Sequence, residues 1–149
     1  IRLFGQTALS RQSPFCDSVN SNSDGKFDLI GIHDTLTISP TLLAPLASIG
    51  EPVIDRVIVF LRWAQGEGQF TSAIRFWDLA GNHEDLAIVR FQLQDRTKGH
   101  NAICALIVKF PTSGVYRFAA LLNGKVIEER RLNVRVLPFP QIERDLSQN

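Results

Sequence analysis

The stretch from Phe110 to Val136, F-P-T-S-G-V-Y-R-F-A-A-L-L-N-G-K-V-I-E-E-R-R-L-N-V-R-V, leaves this chain few alternatives to an antiparallel sheet. Pro111 and Gly114 interrupt what precedes it. Tyr116, Phe118, Ala120 and Leu122 then alternate on one face, and Asn123-Gly124 supplies a turn of residues that tolerate positive φ. The register of the two arms is open to argument. A two-residue turn pairs Leu122 with Lys125 and turns Leu132, Val134 and Val136 away from the face of Tyr116 and Phe118. A three-residue loop with Gly124 as the bulge pairs Leu122 with Val126 and Tyr116 with Leu132, keeping one face apolar at both ends. The bulged form is therefore expected. Its cost is that Glu128 and Arg130 fall on the same face, where they need a sheet rim or each other.

The same period-2 logic runs upstream. V-I-D-R-V-I-V-F-L-R-W from Val53 reads as a long strand and G-E-G as a turn. Q-F-T-S-A-I-R-F-W points Phe70, Ile74 and Phe76 inward, and D-L-A-G-N makes the next connection. L-A-I-V-R-F-Q-L-Q sets Val89, Phe91 and Leu93 on one face, D-R-T-K-G-H-N is a loop, and A-I-C-A-L-I-V-K-F leads into the hairpin above. The first 52 residues are less regular. Residues 2–9 form a weak first strand interrupted by Gly5, and Ser10 to Ser23 a polar loop anchored by Phe15. A turn at Asp24-Gly25 then feeds a strand, or two short ones, bent near Gly31 and closed by Pro40. Three prolines in residues 40–52 predict an irregular crossover. Pro138 and Pro140 end the last strand and leave residues 138–149 as a tail.

Seven to eight strands at this spacing, with no helix-period segment, predict an all-β chain: a single domain over residues 1–149, built as an antiparallel two-sheet β-sandwich of immunoglobulin-like or fibronectin-like arrangement. At 149 residues the chain buries about 68–70% of its unfolded surface, enough for a core without a metal or disulfide. A net charge of +1 with both signs interspersed points to neither nucleic acid nor an anionic membrane. No apolar run has the length of a membrane helix, and I-R-L-F-G-Q-T carries no signal-peptide core, so a cytoplasmic setting is expected. Cys104, among Leu106, Val108 and Phe110, reads as a buried thiol, and a bridge to Cys16 is not expected in that compartment.

Three stretches carry a resemblance. Cys16-Asp17, D-G-K-x-x-L-x-G-I from Asp24 to Ile32, and P-x-x-G-x-Y-x-F from Pro111 to Phe118 resemble a family of small bacterial β-sandwich proteins whose function is uncharacterised. The likeness covers nearly the whole chain and rests on turn and core residues. It implies the fold and a bacterial cytosolic setting, and it carries over no catalytic or ligand residue.

Site chemistry is sparse. N-S-N-S-D-G-K-F-D overlays a calcium loop with Asn20, Asn22 and Asp24 as ligands, but the twelfth position, which needs a bidentate Glu, is Gly31, so a plain turn is favoured. Asp78, His83 and Glu84, with Asp85, share a loop and are weak cation candidates, for which a solvated hairpin tip is the commoner outcome. The three histidines have no metal-ligand spacing, and no metal or other cofactor is expected. No G-x-S-x-G, phosphate loop or H-E-x-x-H is present, and nothing brings two carboxylates to one cleft, so the chain does not read as an enzyme.

What does stand out is strands that are apolar on both faces. Ile58 and Phe60 lie opposite Val57, Val59 and Leu61. Ile103, Ala105 and Ile107 lie opposite Cys104, Leu106 and Val108, and Ala73 and Trp77 opposite Ile74 and Phe76. A sandwich strand needs only one such face. Either the N-terminal residues pack over the second face or it is an interface. The expectation is a non-enzymatic structural or protein-interaction module, a homo-oligomer or bound to a protein partner through Ile58, Phe60, Trp77, Ile103 and Ile107. The competing reading is a carbohydrate- or cation-binding module with its site on the loops at Asp17–Asp28 and Asp78–Asp85. An aromatic platform of Trp63, Trp77, Phe76 and Tyr116 would serve it, although the excess of Phe, ten against two Trp and one Tyr, favours core over ligand face.

Overall fold

Alternating residues build almost every element of the computed structural model, which describes residues 15–24, 26–38 and 53–137. The strands expected at residues 2–9, the crossover at 40–52 and the tail at 138–149 lie outside them. Ten strands occur among the described residues and no helix: β1 (Phe15–Cys16), β2 (Ser18–Ser21), β3 (Phe27–Ile30), β4 (Thr35–Ile38), β5 (Val53–Ala64), β6 (Gly68–Trp77), β7 (His83–Leu93), β8 (Gly99–Phe110), β9 (Gly114–Leu122) and β10 (Lys125–Val136). Two more than the upper expectation arise in the N-terminal part. Ser10 to Ser23, read as loop, contributes β1 and β2, because Phe15 and Cys16 are apolar enough to join a sheet and Ser18–Ser21 pairs antiparallel with Phe27–Ile30.

The strands form a three-stranded sheet β1-β5-β8, a five-stranded sheet β4-β10-β9-β6-β7 and the β2-β3 hairpin. The pairing is antiparallel throughout except that β4 runs parallel to β10, Thr35 opposite Asn133, a departure from the purely antiparallel expectation. The two larger sheets share one core. Phe15, Val57, Val59, Leu61, Trp63, Cys104, Leu106, Val108 and Phe110 from the first meet Ile74, Phe76, Phe91, Tyr116, Phe118, Leu132 and Val134 from the second. Rings bridge the two sheets: Phe15 on Phe118 at 5.1 Å, Phe76 on Phe110 at 6.2 Å and Trp63 on Phe91 at 6.2 Å between centroids. Burying a side chain of this kind stabilises the fold by about 1.5–3 kcal/mol.

The hairpin that dominates the sequence is built differently from expectation and ends in the same register. Leu122 pairs with Lys125, so Asn123-Gly124 is a two-residue turn, with φ of 50° and 78° as the mirror-image hairpin turn requires. The bulge lies one step on, between Val126 and Glu128, and from there Glu128 faces Ala120 and Leu132 faces Tyr116. The extra residue thus sits in β10 and leaves Gly124 to the turn. Asn123 has a second role: its N–H donates to the Thr71 carbonyl at 2.7 Å and its Oδ1 accepts the Thr71 N–H at 2.9 Å, carrying the β6–β9 ladder to the hairpin tip. Glu128 and Arg130 reach each other at 2.8 Å.

The three motifs of the family resemblance are structural corners. The Asp17 N–H donates to the carbonyls of Ile30 and Gly31, and its carboxylate lies over Gly31, where an added Cβ would stand 2.0 Å from Asp17 Oδ2. With φ at +66°, Gly31 admits a side chain neither sterically nor conformationally. In P-x-x-G-x-Y, the buried Tyr116 hydroxyl donates to the Thr112 carbonyl four residues back at 2.7 Å, and Leu79 packs on Gly114. A buried phenol finds its partner this way without a second polar group in the core.

Candidate functional site

The second apolar faces separate into covered and bare. On β5, Ile58 and Phe60 point away from the main core yet are 8% and 6% exposed. Phe27 of the β2-β3 hairpin stands over Phe60 with ring centroids 5.6 Å apart, and Cys16 of β1 lies beside Ile58 in the register. These two interface candidates are therefore occupied within the chain itself. On β8, the facing residues are open: Ile103, opposite Phe60, is 50% exposed, Ala105 lies opposite Ile58, and Ile107, opposite Arg56, is 65% exposed. Ala105 between them is also exposed. Among the described residues, strand β8 is an edge of its sheet, paired on one side with β5 in unbroken register from Gly99 to Phe110. Its approach to β7 is at its start, where His100 stacks on Phe91 at 4.5 Å.

Trp77, the remaining interface candidate, is half-buried on the outer face of the five-stranded sheet beside Ala73, Ala119 and Leu121. Its ring is taken. The Arg117 guanidinium lies 4.2 Å from its centroid and that of Arg75 5.9 Å away. Arg117 in turn pairs with Glu129 at 2.9 Å, and Arg75 grips Asp85 at 2.7 and 3.1 Å. The guanidinium hydrogen bonds hold the Asp85 carboxyl below its ordinary value. Arg117 was not singled out from the sequence, because only the register placing it opposite Trp77 reveals the stack. The aromatic platform does not assemble: Trp63, Phe76 and Tyr116 are buried in the core.

Two of the cation candidates, Asn22 and Asp78, accept turn N–H groups. Asn22 Oδ1 accepts the N–H groups of Asp24 and Lys26, both at 3.0 Å, and Asn20 lies in the β2-β3 ladder opposite Asp28. Asp78 Oδ1 accepts the Asn82 N–H at 2.8 Å and closes the β6-β7 hairpin, while His83 and Glu84 stand opposite Trp77 and Phe76 in the ladder. Among the described residues no three His, Cys, Asp or Glu side chains converge as metal ligands.

A groove of 590 Å³ opens between β1 and the edge of β10, lined by Phe15, Ile32, His33, Asp34, Glu129, Arg130 and Arg131. Three of these side chains already have partners: His33 lies 3.4 Å from Asp17, Glu129 pairs with Arg117 and Arg130 with Glu128. The cysteines fall on opposite faces of the same sheet, Cys104 in the main core and Cys16 beside Ile58, and both are free thiols. Burial pushes the Cys104 thiol up to about 11, and burial, then the neighbouring Asp17 charge, raises Cys16.

No curated protein matches the sequence. Among solved structures, a β-glucosidase from Listeria innocua is similar, alone and in complexes with glucose and with isofagomine. Each shows 14% identity over 84% of this chain, with TM-scores of 0.47, 0.46 and 0.46. The present chain spans 17% of the length of that enzyme, and at this level the likeness carries neither an activity nor a substrate across. Residues 12–135 match a family described as a family of unknown function (DUF6941).

Proposed function

The chain belongs to this family of unknown function, and we propose that it is a non-enzymatic interaction module that self-associates through the bare apolar strip of β8. The observation that carries this reading is a difference within one sheet. The outer face of β5 is closed over Ile58 and Phe60, whereas the adjoining residues Ile103, Ala105 and Ile107 are left in water. Aliphatic surface next to a covered patch is stabilised by about 25 cal/mol for each Å² removed from water, and a strand of a second copy laid beside β8 removes part of it. In this reading the two larger sheets are the layers of an immunoglobulin-like sandwich. The β2-β3 hairpin is then a partial third layer that stops short of β8. The module is set in the cytoplasm, in keeping with two buried thiols placed on opposite faces of a sheet.

An Ile103→Glu/Ile107→Glu variant tests the reading. Both positions are solvent-exposed, so the thermal midpoint should stay close to that of the parent while the oligomer dissociates in size-exclusion chromatography with light scattering. An oligomer of unchanged mass in the variant contradicts the assignment of the surface.

A further inference from the structure

We infer that two copies join edge to edge through β8, in antiparallel register about a two-fold axis at Ala105, turning two three-stranded sheets into one of six strands. This rests on the self-association proposed above and specifies its geometry. Among the described residues, four strands end the two larger sheets. Strand β1 has two residues and β4 has four, too short to template a partner. Strand β7 is interrupted by a bulge, since the register jumps between Ser72 and Ile74 of its neighbour and Ala87 adopts φ of 49°. Strand β8 is twelve residues long, has no register shift, contains no proline and carries no Lys, Arg, Asp or Glu between Gly99 and Val108. Short strands, bulges, prolines and charges are the means by which sheets protect their edges, and β8 uses none of them before Lys109. An unprotected edge accepts a further strand through main-chain hydrogen bonds.

The partner is a second copy because β8 is complementary to itself. With the axis at Ala105, Ile103 faces Ile107 of the other strand, Cys104 faces Leu106, and Lys109 faces Asn101. Every exposed aliphatic residue meets an aliphatic residue and no like charges oppose. Moving the axis by one residue breaks this match. An axis at Cys104 sets Ile107 against Asn101, and one at Leu106 sets Ile103 against Lys109. The approach of β7 at His100 and Phe91 lies outside the paired segment.

The test is an Ala105→Cys variant of the full chain under mild oxidation, with the linked peptides identified by mass spectrometry. Residues facing each other across an antiparallel pair have Cα atoms about 4.5–5.5 Å apart, within the range of about 4.4–6.8 Å that a disulfide spans. The expected result is a covalent dimer linked only through residue 105, forming at a rate that falls on dilution below the dissociation constant. An Ile103→Cys variant, whose thiols sit opposite residue 107, should link at least tenfold more slowly. A noncovalent dimer that forms no such bond, or that links equally well through residue 103, overturns the edge-to-edge geometry and leaves self-association standing. A monomeric parent removes both.

Discussion

Strands β7 and β8 are consecutive in the chain, similar in length and each at the margin of its sheet, yet they are finished in opposite ways. Strand β7 opens with His83, Glu84 and Asp85, locks Asp85 to Arg75, and breaks its ladder at Ala87. Its exposed aliphatic pair, Ile88 at 63% and Val89 at 39%, sits at the break, where no continuous row of amides is on offer. Strand β8 offers the continuous row and the aliphatic strip together. A chain able to guard one edge with a bulge and charges has left the other flat, and edges left flat are places where strands add. The difference argues for an edge in use.

The largest expected effect comes from giving β8 the guard it lacks. Ala105→Lys places two ammonium groups face to face on the proposed axis. It should weaken the dimer about 100-fold, ~2.7 kcal/mol, with monomer stability changed by no more than about 0.5 kcal/mol because the site is exposed. Sedimentation velocity and denaturant melts read the two quantities separately. Next is the converse change, removal of the guard from β7. Two residues of β7 oppose one of β6 at the bulge, so deleting Ala87 leaves both flanking registers intact and straightens the edge. A molecule with two open edges forms open-ended chains, and light scattering should show mass growing with concentration beyond a dimer. The smallest effect is expected from Ala87→Gly, which keeps the bulge and removes the left-handed strain of about 1–2 kcal/mol against a glycine entropy cost of about 0.5–1 kcal/mol. A net gain of about 0.5 kcal/mol in a urea melt, with oligomeric state unchanged, separates the shape of the β7 edge from its stability.

The contrast between these edges was half legible in the sequence. Side-chain alternation placed Cys104, Leu106, Val108 and Phe110 inside and Ile103, Ala105 and Ile107 outside, because a period of two needs no knowledge of partners. The same rule set Val89, Phe91 and Leu93 on one face, and the ladder keeps them there opposite Ser72, Phe70 and Gly68, but Val89 stays 39% exposed. The bulge lies just before Val89 on the outermost strand, and a bulge centred on alanine has no residue signature such as a glycine provides. The β9-β10 hairpin shows the same limit. The pairing of Tyr116 with Leu132 follows from keeping one face apolar, but the chain inserts its extra residue after Val126 and spares the turn. Apolar pattern demanded one added residue and did not say where.

The candidate interface was legible only as a list. Ile58, Phe60, Ile103 and Ile107 look alike in sequence, and what separates them is the β2-β3 hairpin, which brings Phe27 onto Phe60 and goes no further. The turn residues Asn22 and Asp78 mimic ligands because the oxygen that would hold a cation is the same oxygen that accepts backbone N–H groups. Trp77 looked available because its arginine partners come from the same strand and from a neighbour 40 positions away, a juxtaposition that only strand order creates.

On the reading above, β8, with its aliphatic strip and open edge, meets a second copy of the chain. Sedimentation equilibrium of the unmodified protein across micromolar concentrations tests it most directly. A reversible monomer–dimer equilibrium with twice the chain mass at the upper end is the predicted result. A single monomeric species at every concentration would contradict it.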